Sequence, residues 1–372
     1  MIGLRLERRD AAPIWLRIAL PIGAIFLTLL VCSTLILLAG AHVGEAYAHL
    51  FLTPFSGRFD TVETAVKATP LILTGLAVAV AFRAKFWNIG AEGQLLAGAM
   101  AAAFIGGRAS LPDWSLEPLM ILCGGMAGAA WALLPAVLRT RYKVDDVVTT
   151  LLLNFVMFYA MTALLDGPWK DPLSGYPDSP DIRMEAEFPI LLRATRLHLG
   201  ILIALAAALF VWFLMNRTVL GFAIKAVGEN PRAAAYAGMS IGRVILATAA
   251  LSGALAGLAG VGEVGGVHFQ VMAGLSPGYG YTGIVIAMLA GLNPLGVVPA
   301  AFFFAVVITG AEGMSRATGV PVYLSDVIQG VALISMLAAM LFTQYRIRIV
   351  GRLATASPAA PALSREVEGK TP

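Results

Sequence analysis

Apolar runs recur along almost the whole chain, and they constrain its fold more than any other feature. Ten can be delimited, at residues 18–39, 68–82, 90–106, 118–138, 147–165, 198–215, 244–262, 281–292, 296–311 and 323–342. A bilayer core about 30 Å thick takes about 20 helical residues to cross. Inside it, backbone groups have no water to bond, so spanning segments are helices or closed barrels. The runs predict an all-α, polytopic membrane protein with about 10 transmembrane helices. Composition agrees: 59% of the 372 residues are hydrophobic and 13% charged, against about 45–50% and about 25% in soluble domains. A water-soluble enzyme, a disordered chain and a nucleic-acid-binding chain are thereby excluded. The first run is longer than the apolar region of a signal peptide, about 7–15 residues, and reads as an uncleaved span.

The second, third, eighth and ninth runs read as short. Gly, Asn and Pro interrupt them, as in Trp87-Asn88-Ile89-Gly90 and Gly291-Leu292-Asn293-Pro294. Broken segments in membranes line cavities, because their free backbone groups need water or protein partners. One broken pair follows the first span and another lies near the C-terminus, which hints at two related halves.

Basic residues orient the spans. With the N-terminus placed inside, 18 of the 26 Lys and Arg fall on inner segments and eight on outer ones. That bias predicts both termini in the cytoplasm, N-in and C-in, and an even number of spans. The organisation expected is a cytoplasmic segment at 1–17, a membrane domain at 18–345 and a disordered cytoplasmic tail at 346–372. Within the domain lie an external loop at 166–197, a cytoplasmic loop at 216–243 and an amphipathic element at Val43–Phe51. Glu263 and Glu312 are expected at outer span ends, facing water.

Few residues suggest chemistry. Cys32 and Cys123 lie in apolar runs and read as buried hydrophobes, and the four histidines are scattered without metal-ligand spacing. No catalytic set and no metal site is expected. Gly369-Lys370-Thr371 imitates the end of a phosphate-binding loop, but position 364, where its first glycine belongs, is Ser364. The chain is expected to bind no cofactor of its own. Gly124, Gly128, Gly253 and Gly257 have the four-residue spacing of close helix packing. Asp145 and Asp146 suit a helix start, where acidic groups complement the dipole.

In the longest inner loop, Asn230 is placed to cap a short helix, with Pro231 at its first position, Arg232–Tyr236 as its body and Gly238 beyond its end. Such a knob can enter a groove on a cytoplasmic partner. Lys225–Gly238 resembles the coupling loop of ABC-importer permeases of the ribose/branched-chain-amino-acid superfamily. Asn88-Ile89-Gly90-Ala91-Glu92-Gly93-Gln94 is similar to the broken second span of the nucleoside-type, simple-sugar-like branch. So are Ser276–Ile284 with Leu292–Gly296, and Thr149–Phe155. The resemblance covers residues 15–345.

It implies a permease subunit of an ABC importer in a bacterial inner membrane, carrying a small polar solute, a nucleoside or a sugar. The implied partners are an ABC ATPase subunit, fused in tandem in some members, which uses ATP and Mg; a second, different permease subunit; and an extracytoplasmic solute-binding protein. ATPase coupling falls to Glu229, Asn230, Pro231, Arg232, Tyr236 and Gly238. Trp87, Asn88, Glu92, Gln94 and Asn154 are candidates for the substrate path. Alternatives stand beside these: Glu92 as a cap of the third helix or a partner of Arg83 or Lys85, and Asn154 as an interhelical hydrogen bond. A secondary transporter would need ionisable groups near the midplane, for which Glu92 is the one candidate. A membrane-embedded enzyme would need acidic or His-rich loops, for which Asp145-Asp146 is thin support.

Overall fold

A computed structural model describes residues 2–8, 13–108, 112–172, 174–321 and 323–351. The N-terminal part comprises β1 (Ile2–Arg8), α1 (Ile14–Leu38), α2 (Val43–Leu52), α3 (Arg58–Arg83) and α4 (Ala91–Arg108). Next come α5 (Asp113–Tyr142), α6 (Asp146–Asp166), α7 (Gly200–Arg217), α8 (Val219–Glu229) and α9 (Pro231–Tyr236). The remainder is α10 (Ile241–Glu263), extended by a π-helical turn to His268, then α11 (Tyr279–Leu289), α12 (Pro294–Thr318), α13 (Leu324–Gln344) and β2 (Tyr345–Gly351).

A helix therefore forms over each of the ten apolar runs. Six of them, α3, α5, α6, α7, α10 with its π turn, and α12, are long and apolar enough to cross a membrane. Three runs expected to be short are not: α3 has 26 residues, α4 has 18 and α12 has 25. Their polar ends are helical too, which apolarity alone does not reveal. Among the broken segments α11 alone is short, with 11 residues. At 1.5 Å per residue it is about 16 Å long, half a bilayer core.

The all-α expectation needs one correction. β1 and β2 pair antiparallel, from Ile2 opposite Gly351 to Arg8 opposite Tyr345. The start of the expected disordered tail, 346–351, is thus a strand, and the two ends of the described chain meet. The rest of that tail, 352–372, lies outside the described residues.

The core forms around α3, whose span is almost wholly buried, and α10, which packs on α3, α4 and α5. The crossings of α10 depend on glycine. A Cβ at Gly128 would lie 2.2 Å from the Gly253 carbonyl, and one at Gly98 would lie 2.2 Å from that of Gly257. Contacts that close bring backbones together where lipid supplies no hydrophobic drive. On one flank α1 packs against α13, and α2 lies on α12. Cys32 is buried within the former.

The loop 166–197 is irregular, with one 3-10 turn at Met184–Ala186. It is stitched to the end of α10 rather than free. The amides of Ser179, Ile182 and Phe188 donate to the carbonyls of Val271, Phe269 and Gly265. The π turn and the residues after it thereby find partners for carbonyls that no helix satisfies.

Candidate functional site

The segment between α3 and α4 has no helix of its own, so its backbone groups need outside partners. Helix α6 supplies them from one face. Asp146 accepts from the Trp87 amide at 2.6 Å, Thr150 accepts from the Ile89 amide at 3.2 Å, and Asn154 accepts from the Gly93 amide at 2.8 Å. The Asn154 amide also donates to the Ile89 carbonyl at 2.9 Å. These three side chains stand four residues apart, one above another on the helix. All are buried in an otherwise apolar span.

Asn88 and Gln94 satisfy each other. Each amide nitrogen donates to the other's oxygen at 2.9 Å, and Asn88 also donates to Ser252 at 2.9 Å. Ser252 in turn donates to the Ala77 carbonyl at 2.7 Å. This network ties α3, α4 and α10 at one level. It leaves Asn88 and Gln94 fully buried.

Glu92 stands in the first turn of α4, and its carboxylate reaches a different helix. Oε2 accepts from the Gly280 amide, in the first turn of α11, at 2.7 Å. The two helix starts touch: a Cβ at Gly280 would lie 2.2 Å from the Glu92 nitrogen. Both starts carry the positive end of a helix dipole, and a carboxylate between them is stabilised by both. Ser276 completes the start of α11 by accepting from the Gly278 and Tyr279 amides at 3.2 and 3.1 Å. Neither reading of Glu92 as a cap of its own helix or a partner of Arg83 or Lys85 describes this. Arg83 donates instead to the Leu292 and Gly291 carbonyls.

Against this junction lies a cavity of about 290 Å³. Glu92, Asn154, Ser276 and Tyr281 give it polar groups, and Phe155, Phe158 and Tyr159 of α6 give it aromatic surface. Asn154 is 3.2 Å from the Tyr281 hydroxyl. Of the path candidates, Glu92 and Asn154 line this chamber. Trp87 does not. It lines a second cavity of about 680 Å³, together with Lys85, Arg139, Lys143, Asp145, Asp146, Val227, Pro231 and Ile241. The aromatic residues of α6 were not singled out from sequence. In an apolar span, nothing separates a cavity-facing Phe from a lipid-facing one.

The loop 216–243 holds two helices, α8 and α9, where one was expected. Asn230 caps α9, accepting from the Arg232 and Ala233 amides at 3.1 Å each, with Pro231 next. Gly238 follows the end with φ 83°. Ala234 is buried, whereas Tyr236 is 96% exposed. Glu229 ends α8.

His198 sits in a slot made by two glycines. A Cβ at Gly266 would lie 2.3 Å from its ring, and one at Gly200 would lie 2.5 Å away. Burial, and then the positive charge of Arg196, lower its pKa to about 4. The Gly200 amide donates to Nδ1 at 3.1 Å, which assigns the proton of the neutral ring to Nε2. Glu263, expected to face water, is buried, 3.4 Å from His268. Glu312 is paired with Lys67 at 2.5 Å. Among the described residues no group of three potential ligands could hold a metal ion.

A bundle of apolar helices with a polar chamber at a meeting of helix starts defines a multi-pass membrane permease. The family described as "Branched-chain amino acid transport system / permease component" matches residues 61–337, and the chain belongs to it. It is 36% identical to the glucose ABC transporter permease protein TsgB13 of Haloferax volcanii, over 94% of each chain. It is 35% identical to the guanosine ABC transporter permease protein NupP of Bacillus subtilis, over 89% of this chain and 94% of that one. It is 32% identical to the nucleoside ABC transporter permease protein NupB of Lactococcus lactis, over 82% and 86%. The chain is thus a transport subunit of an ABC transporter, not an enzyme, and it carries a small polar solute.

Proposed function

We propose that this chain forms one half of the path of a nucleoside importer in a bacterial inner membrane. The chamber between α4, α6 and α11 carries the reading. Aromatic rings on α6 offer flat surfaces to a base, while Asn154, Ser276 and Tyr281 offer hydrogen-bonding groups to base edges or ribose hydroxyls. Relatives named for guanosine and nucleosides support the solute class. A relative named for glucose makes sugar the competing solute.

The ten helices then serve as spans, N-in and C-in. The paired ends and the bias of basic residues support that orientation. A second, different permease chain completes the path. Paired NupP and NupQ permeases in one organism support a heteromer. A solute-binding protein delivers from outside. A separate ATPase, using ATP and Mg, drives the cycle through α9, with Glu229, Asn230, Pro231, Arg232, Tyr236 and Gly238 forming the contact. The exposed ring of Tyr236 on a firmly capped helix supports that role. Asn88 and Gln94 hold the walls in shape, and Glu92, Asn154 and Trp87 face the solute's route.

Vesicles holding the complex test the solute. ATP-dependent uptake of radiolabelled guanosine, unaffected by excess glucose, is expected. Guanosine exclusion, or equal competition by glucose, overturns the nucleoside reading.

A further inference from the structure

The polar face of α6 touches two of the cavities among the described residues. Asn154 lines the chamber and Asp146 lines the larger cavity. Eight helical residues separate them, about 12 Å. The larger cavity is also walled by Val227, Pro231 and Ile241, which flank α9. Its lining also includes the ion pair between Arg139 of α5 and Asp146 of α6. The same Asp146 oxygen accepts from the Trp87 amide, and Arg139 donates to the Lys85 carbonyl at 2.8 Å. The guanidinium stands 5.6 Å from the centre of the Phe86 ring. One ion pair therefore grips residues 85–87 from two helices, and those residues continue directly into the segment that Thr150 and Asn154 hold beside the chamber.

We propose that the Arg139–Asp146 pair is a positioning element that couples the cytoplasmic loop to the chamber. The proposal rests on the reading of the chain as an ATP-driven permease half. A push on α9 displaces one wall of the larger cavity. The ion pair makes residues 85–87 follow α5 and α6 as one body, and the hydrogen-bonded ladder on α6 carries that displacement to Ile89, Gly93 and the start of α4. Without the pair, the broken segment slides against α6, and nucleotide-driven motion no longer reaches the chamber.

The test uses the complete complex in vesicles, with guanosine as probe. Asp146→Asn keeps an acceptor for the Trp87 amide, and Arg139→Gln keeps a donor for the Lys85 carbonyl, so the break stays satisfied while the charge pair is lost. Assembly, thermal midpoint and ATP hydrolysis should stay near those of the unaltered complex. Guanosine imported per ATP should fall about fivefold or more, the lower end of usual coupling factors. The double variant should be no worse than the poorer single one, because both break one interaction. An unchanged ratio overturns the proposal. So does a proportionate fall of uptake, hydrolysis and midpoint, which marks a purely structural pair. A second readout needs no solute. Ile89→Cys, with Cys32→Ser and Cys123→Ser, is labelled by a charged thiol reagent with and without vanadate-trapped nucleotide. The labelling rate should change with nucleotide state, and Asp146→Asn should abolish the change. Labelling indifferent to nucleotide refutes the linkage even if guanosine proves to be the wrong solute. State-dependent labelling without guanosine uptake refutes only the solute.

Discussion

Asn154 and Phe155 are adjacent in sequence, and their surroundings make opposite demands. The Asn154 amide satisfies the Gly93 amide and the Ile89 carbonyl, while Phe155 is half exposed on the chamber wall. Asn154→Leu orphans two backbone groups. Interhelical hydrogen bonds in membranes average about 0.6 kcal/mol and reach about 1.7, so a loss of about 1–2 kcal/mol and a lower thermal midpoint are expected. Phe155→Ala should leave the midpoint in place and raise the KM for guanosine. Melting curves beside uptake kinetics check both. His198 adds a pH dependence beside the loop 166–197. Its folded value of about 4 lies below the ordinary 6.5, so between those values the unfolded loop binds a proton that the folded loop refuses. The stability from neutral burial is complete above pH 6.5 and lost as pH falls toward 4. Its upper limit is about 3 kcal/mol. Proteolysis of the external loop should accelerate between pH 7 and 4.5, and His198→Gln should flatten that dependence.

At the scale of elements, legibility followed the reach of each interaction. The α9 knob could be read almost entirely, because a cap, a proline and a left-handed glycine all act within nine residues. Helix positions followed from apolar runs for the same reason. What escaped depends on distant partners. Glu92 meets Gly280 from the far end of the chain, and no local pattern announces it. The strand pair joins the two ends of the described chain. The α6 ladder left a trace, the four-residue spacing of Asp146, Thr150 and Asn154. Yet Asp146 stands beside Asp145, and both read as dipole partners of a helix start. In fact Asp145 alone caps α6, accepting from the Val148 amide at 3.0 Å. The knob also yields a test. Asn230→Ala should cost about 1 kcal/mol of local helix stability, enough to loosen α9 without unfolding a span. Arg232→Glu with Tyr236→Ala should leave membrane insertion intact and reduce co-purification with the ATPase. Undiminished co-purification would move the docking surface elsewhere.

The whole molecule must reconcile a half-length helix with termini that meet. Helix α10 leads to the loop 166–197, whose amides bond the end of α10 and the residues after it. The segment 269–278 then returns to the start of α11 at Glu92, and α11 carries the chain on to Gly291 and Leu292, which Arg83 holds at the far end of α3. In the proposed topology an extended half and a helical half together make one crossing. On the proposed ten-span reading the crossings are even in number, which agrees with the pairing of β1 with β2. The bias of basic residues supports the proposal that the side of the paired ends is the cytoplasmic one. Compartment-sensitive reporters inserted after Gly175 should report the outside, and reporters after Gly238 or at the C-terminus should report the cytoplasm. If α11 and the segment before it did not complete a crossing, the reporter after Gly238 and the C-terminal reporter would disagree. That one outcome would overturn the inward placement of the two ends.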